Sequence, residues 1–135
     1  DILYSRVGAK FGEAGVVEHD FEFSVYVSVT LIRTIPEKVE NYFLKYYLNS
    51  PLIKELAKKS IKSSGVPNLN VKDVREFPIS YPSIEIQRKI VEDIKSVEIE
   101  YRKLVNLYSK KLESVEELKS GVLKRAFENE LIEAE

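Results

Sequence analysis

Residues 83–127 read SIEIQRKIVEDIKSVEIEYRKLVNLYSKKLESVEELKSGVLKRAF. Ile90, Ile94, Val97, Tyr101, Leu104, Tyr108, Val115, Leu118 and Val122 fall along this stretch in steps that alternate four and three. That alternation is the apolar seam of a helix built to lie against another helix. One seam position departs from it: Lys111 stands where an apolar residue is due, with Leu112 beside it. No proline or glycine interrupts the run before Gly121. At about 1.5 Å per residue, a helix over residues 83–120 reaches about 57 Å, longer than a small domain is wide. Such a helix has more apolar stripe than the preceding residues can cover, so a partner helix is expected.

The chain has 135 residues, 44% hydrophobic and 32% charged, which fits a folded protein and not a disordered one. No apolar run approaches the ~20 residues that cross a bilayer, and no signal-peptide pattern opens the chain. There is no cysteine, which excludes disulfides and thiolate metal sites and suits a reducing cytoplasm, the expected location. A net charge of −1 argues against a wholesale nucleic-acid coat but allows a local basic patch. The opening Asp1-Ile2-Leu3-Tyr4 reads as the middle of a strand, with no methionine before it, and suggests a piece of a longer chain.

Ahead of the long helix, the pattern predicts an α+β part with a small mixed sheet. Ile2 to Val7 reads as a strand, and Gly8, Gly12 and Gly15 as turns between strands. A phosphate cradle there lacks support, because Gly12 is followed by Glu13 and Ala14 rather than by Lys and Ser/Thr. Phe21 to Arg33 gives the clearest alternation, with Phe23, Val25, Val27, Val29 and Leu31 on the expected core face. Pro36 and Glu37 open a predicted helix carrying Val39, Tyr42, Phe43, Tyr46 and Tyr47. Ser50 caps a second, with Pro51 at its first position and Leu52, Ile53, Leu56, Ala57 and Ile61 turned inward. Residues 63–70 are a loop, Asn70 caps a short turn through Asp73 and Val74, and Phe77 to Tyr81 is a strand or an extended lining segment limited by Pro78. Ser83 caps the long helix, and the tail beyond Phe127 is expected to fray. The domain reading is therefore 1–82 for the α+β part and 83–135 for the helical spacer.

Catalytic chemistry finds little footing. His19 is the only histidine, so neither a metal site nor a nucleophile-and-base set can be assembled around it, and no cofactor is expected. The basic loop region is more informative. Lys54, Lys58, Lys59, Lys62, Lys72 and Arg75 face only Glu55 and Asp73 between residues 54 and 75, a net charge of +4. Lysines position phosphates, while Ser and Asn hydrogen-bond to base edges. The DNA-contact candidates are thus Lys58, Lys59, Lys62, Ser63, Ser64, Asn68 and Asn70, with Arg6 and Lys10 from the glycine-rich turns as secondary ones. The plainer alternative is a solvated lysine face on an amphipathic helix.

Four stretches in order carry a family resemblance: the opening "DILYSRVGAKFGEAGVV", "YYLNSPLIKE", "SSGVPNLNVKDVREFPISYPSIEIQRKIV" and "LKSGVLKRAFENEL". Together they resemble the specificity subunit of type I restriction–modification enzymes over nearly the whole chain. Ser83 and Ile86 depart from that family's helix-start pattern, where a proline and a glutamate stand, whereas Gln87 keeps it. The resemblance implies the later part of one target-recognition domain followed by one spacer helix. It also implies a protein that binds double-stranded DNA and performs no chemistry. Each recognition domain would read half of a split site, and paired antiparallel helices would fix the spacing. Those helices would dock methyltransferase subunits, which bind S-adenosylmethionine, and through them the restriction subunit. Two other readings compete: a helical assembly module without DNA binding, and, more weakly, a nucleotide-using enzyme built on the glycine turns.

Overall fold

The computed structural model describes residues 1–61 and 67–133, the side chains through residue 128. Its element order is β1 (Ile2–Ser5), β2 (Ala14–Val16), β3 (Val29–Ile32), α1 (Asn41–Leu48), α2 (Pro51–Lys59), α3 (Val71–Arg75) and α4 (Ile84–Glu133). The chain divides into two compact units, Asp1–Glu92 and Asp93–Glu135, so the first two turns of α4 belong with the α+β part.

In the first unit the sheet order is β2-β1-β3. Both pairings are antiparallel, which keeps the α+β class and replaces the expected mixed sheet. The glycine-rich stretch turns the chain from β1 to β2. Gly8 and Gly12 sit at φ 84° and 78°, in the left-handed region that a side chain disfavours. The amides of Phe11, Gly12 and Glu13 donate to the carbonyls of Gly8, Ser5 and Lys10, so these three N–H groups are spent inside the turns.

The strand expected over Phe21–Arg33 shrinks to β3, and its faces are reversed. Ile2 and Tyr4, both fully buried, pair across the sheet with Ile32 and Thr30. The even-numbered residues of β3 therefore face the core, whereas the predicted core residue Leu31 is exposed. Alternation defines two faces but not which one is covered, and a shift of one residue exchanges them. Phe21 to Val27 stays exposed because no described strand offers its backbone a ladder.

Helix α1 begins five residues after the expected Pro36. The Glu40 carboxylate accepts from the Phe43 amide at 2.6 Å and caps the helix there. Upstream, the backbone is diverted into a turn by the fully buried side chain of Gln87 on α4. Gln87 accepts the Glu40 N–H at 2.9 Å, and it donates to the Lys38 and Pro82 carbonyls at 2.8 Å each. Helix α2 starts as the sequence predicts: Ser50 caps it, with the Ile53 amide donating to its hydroxyl, and Pro51 follows. Ile53 and Ala57 are buried and Leu56 is partly so, but Leu52 points to solvent. Between α1 and α2, the Asn49 side-chain amide bonds both backbone groups of Ala14 at 2.9 Å and so satisfies the outer edge of β2.

The core gathers Ile2, Tyr4, Leu44, Leu48, Ile53, Leu69 and Phe77. Each large apolar side chain buried there stabilises the fold by about 1.5–3 kcal/mol before entropy is counted. Phe77 to Tyr81 forms no strand; it is a lining segment, tied where Tyr47 donates to the Pro78 carbonyl at 2.9 Å.

Helix α4 spans 50 residues, about 75 Å at 1.5 Å per residue. The Gln87 amide donates to the Ser83 carbonyl at its start. The helix passes through Gly121 without interruption and stays helical to Glu133, past the point where fraying is expected. No described helix is long and apolar enough to cross a membrane.

Candidate nucleic-acid interface and helix seam

Two sets of side chains are left without a structural task inside the fold: the cations around the 54–75 stretch, and the apolar seam of α4. Lys58 and Lys59 occupy the last turn of α2, where the helix dipole favours cations. Both are exposed. Lys58 shares a surface pair with Glu55 at 3.2 Å, which solvent screens. Lys62, Ser63 and Ser64 lie outside the described residues. Where the description resumes, Asn68 is exposed and forms a single antiparallel bridge with Val7, next to the turn that carries Lys10. Lys10 is exposed and pairs with Glu13 at 3.6 Å. The topology thus brings Asn68 and the glycine turns together at one end of the sheet. Asn70 is exposed at the start of α3, its amide donating to the Asp73 carboxylate at 3.3 Å, and Lys72 and Arg75 project from the same helix.

Arg6 is placed otherwise than the sequence suggests. It is only 9% exposed. One guanidinium nitrogen donates to the Leu69 carbonyl at 2.7 Å, and the other terminal nitrogen donates to the Val27 carbonyl. The Leu69 amide returns a bond to the Arg6 carbonyl at 3.1 Å, and the Arg6 amide donates to Ser28. Arg6 is therefore an internal clamp that fixes residues 67–70 and the turn at Tyr26–Val27 to the end of β1. Its two terminal nitrogens face backbone carbonyls and not a phosphate, and its buried Nε has no partner among the described residues.

That clamp exposes a feature missed in the sequence. Tyr26, 77% exposed, and Val27 sit on a turn held by the same side chain that holds Leu69. Their alternation resembled a buried strand. The signal that could have separated the two cases was the absence of a second alternating run to pair with it.

The seam of α4 is presented to solvent through Val97, Tyr101, Leu104, Tyr108, Val115, Leu118 and Val122, all exposed. Ile90 and Ile94 are partly buried. Val91, which is not a seam position, is buried 5% exposed and with Gln87 forms the face that α4 turns toward the first unit's core. At the helix start, Glu85 is held below the usual carboxylate range, first by a hydrogen bond from its own backbone amide and then by the Ser83 side chain.

A family model for the type I restriction modification DNA specificity domain matches residues 1–117, all of the first unit and much of α4. The chain belongs to the type I restriction–modification DNA specificity family. Two curated relatives agree. The chain is 29% identical over 131 residues to the type I restriction enzyme EcoBI specificity subunit of Escherichia coli, covering 97% of this chain and 27% of that one. It is 25% identical over 134 residues to the putative type I restriction enzyme MjaX specificity subunit of Methanocaldococcus jannaschii, covering 94% of this chain and 30% of that one. The chain thus spans less than a third of the length of these relatives. No solved structure matches it.

Proposed function

We propose that this chain is a non-catalytic DNA-reading part of a type I restriction–modification system, acting in the cytoplasm on one half of a bipartite site. Lys58, Lys59 and Lys62 hold phosphates. Ser63, Ser64, Asn68 and Asn70 read base edges, and Lys10 adds a phosphate contact from the neighbouring turn. Arg6 positions this surface without touching DNA. Methylation and cleavage belong to the methyltransferase and restriction subunits, docked through α4, which also pairs antiparallel with a second copy or a sister half.

The observation that carries this reading is the exposure of Lys58 and Lys59 in the last turn of α2 and of Asn68, Asn70, Lys72 and Arg75 at and before α3, in a chain of the specificity family. Selection of bound duplexes from a random-sequence pool tests it. Enrichment of one short motif is expected. Recovery of duplexes with no common sequence at low salt, or of none at all, would refute half-site reading. The exposed seam supports a second reading, an assembly module that pairs helices and binds no DNA. That reading predicts an empty selection with self-association intact.

A further inference from the structure

Resting on the reading that the seam pairs helices, we propose that α4 pairs antiparallel with α4 of a second copy in one register, with Tyr101 of each helix seated in a notch at Gly121 of the other. A parallel pair would set identical positions face to face. It would stack Lys111 on Lys111 and Arg125 on Arg125 inside the seam, and bring Asp93 beside Glu98. An antiparallel pair in the register below takes Arg125 off Arg125 and Asp93 off Glu98 and offsets the two Lys111 side chains along the seam. It sets Asp93 against the partner's Glu128, a carboxylate already paired with Lys124 of its own helix at 3.7 Å.

The register follows from the residues that flank the seam. With the two-fold axis between Ser109 and Lys110, Val97 meets the partner's Val122, Tyr101 meets Leu118, Leu104 meets Val115 and Tyr108 meets Lys111. On one flank Val105 then lies against the partner's Leu112, both exposed in the single chain. Further out on that flank, Glu98 lies against Lys119, opposite in sign, and each of these contacts occurs twice. Lys119 makes an exposed pair with Glu116 at 3.8 Å, which leaves it able to exchange partners. Lys111 already lies 5.7 Å from the Tyr108 ring in its own chain. In the pair its stem covers the seam while its charge stays on tyrosine faces.

The notch supplies an independent reason. Ser114, Leu118, Gly121, Val122 and Arg125 line a shallow groove on α4, and a side chain built at Gly121 would meet nothing within 4 Å. In this register the Tyr101 ring falls between Leu118, Gly121, Val122 and Arg125, where the missing side chain leaves room. A glycine in mid-helix is otherwise unfavourable. Shifting the axis to Asn106 loses these matches. Tyr101 then meets Lys111 and Glu98 meets Leu112.

The chain contains no cysteine, so introduced thiols report the register cleanly. Leu104→Cys and Val115→Cys, prepared separately and mixed, are expected to cross-link to each other and neither to itself. Cross-linking of Val115→Cys alone would show a parallel pair. Cross-linking of Leu104→Cys with Tyr108→Cys in place of Val115→Cys would show the shifted register. Either result overturns the proposal while leaving helix pairing standing. Gly121→Leu favours the helix yet fills the notch, so it should raise the dimer dissociation constant about tenfold or more with undiminished helicity. Lys119→Glu should weaken the pair at low salt, and Glu98→Lys in the same chain should restore it. Sedimentation showing only monomer up to about 100 µM would overturn the register and pairing with a second copy together.

Discussion

Replacing Gln87 with leucine should unfold the first unit far more readily than its single side chain suggests. The amide is fully buried and serves three backbone groups: the Glu40 N–H and the Lys38 and Pro82 carbonyls. Leucine keeps the volume and removes all three partners. A buried backbone group left unpaired costs about 1–3 kcal/mol, and these groups are part-buried, so water recovers some of the loss. The expected destabilisation is about 3–5 kcal/mol, against about 5–14 kcal/mol for a unit of this size. Gln87→Glu separates the roles of the amide. A carboxylate still accepts from Glu40 but cannot donate to either carbonyl, whereas its protonated form regains one donor. That variant should therefore be less stable at pH 7 than near pH 4, relative to wild type. Urea unfolding followed by tyrosine near-ultraviolet circular dichroism measures both, and amide exchange at Glu40 reports the local bond. A loss under about 1 kcal/mol with Glu40 exchange unchanged would refute the assignment of Gln87 as the bond between α4 and the α1 turn.

Val97→Asp with Leu104→Asp should abolish self-association or subunit docking, a loss of about a hundredfold or more in affinity, because carboxylates would be buried without partners; sedimentation that matches wild type would dismiss the seam as an interface. Arg6→Lys should cost about 1–3 kcal/mol in urea unfolding yet leave the salt dependence of DNA binding unchanged, since the guanidinium holds carbonyls rather than phosphates. A shallower salt slope for that variant would return Arg6 to the DNA face. Glu85, held below the ordinary carboxylate value in the folded chain, contributes stability above that ordinary value and loses it as pH falls through the lowered one. Glu85→Gln should accordingly be slightly less stable than wild type near pH 7, with the difference fading below about pH 4.

Features built from near neighbours were legible. The four-three spacing of α4 needs no tertiary knowledge, nor does the Ser50-Pro51 start of α2 or the pair of glycine turns. Features set by distant residues were not. The start of α1 is fixed by Gln87, 47 residues from Glu40, and nothing in Pro36-Glu37 announces that the following carbonyl and amide are already engaged. Arg6 reads as an exposed cation beside glycines, but its burial depends on carbonyls at Val27 and at Leu69, the latter 63 residues away. The alternation from Phe23 to Leu31 was real. Its meaning depended on which residues β1 would pair, and Ile2 and Tyr4 select Ile32 and Thr30. Among the DNA candidates, the bridge between Val7 and Asn68 unites two stretches that the sequence shows far apart, while Lys62, Ser63 and Ser64 lie outside the described residues.

The central claim, that the first unit grips DNA through the lysines bordering its Ser/Asn loop, is tested most directly by the salt dependence of binding. Affinity for a mixed-sequence duplex is measured by fluorescence anisotropy across a range of salt, for wild type and for Lys58→Ala, Lys59→Ala and Lys62→Ala combined. If the three lysines hold phosphates, the combined variant binds more weakly to every sequence, and the slope of log affinity against log salt falls by about 2–3 units. Identical affinities and slopes for the two proteins would contradict the account.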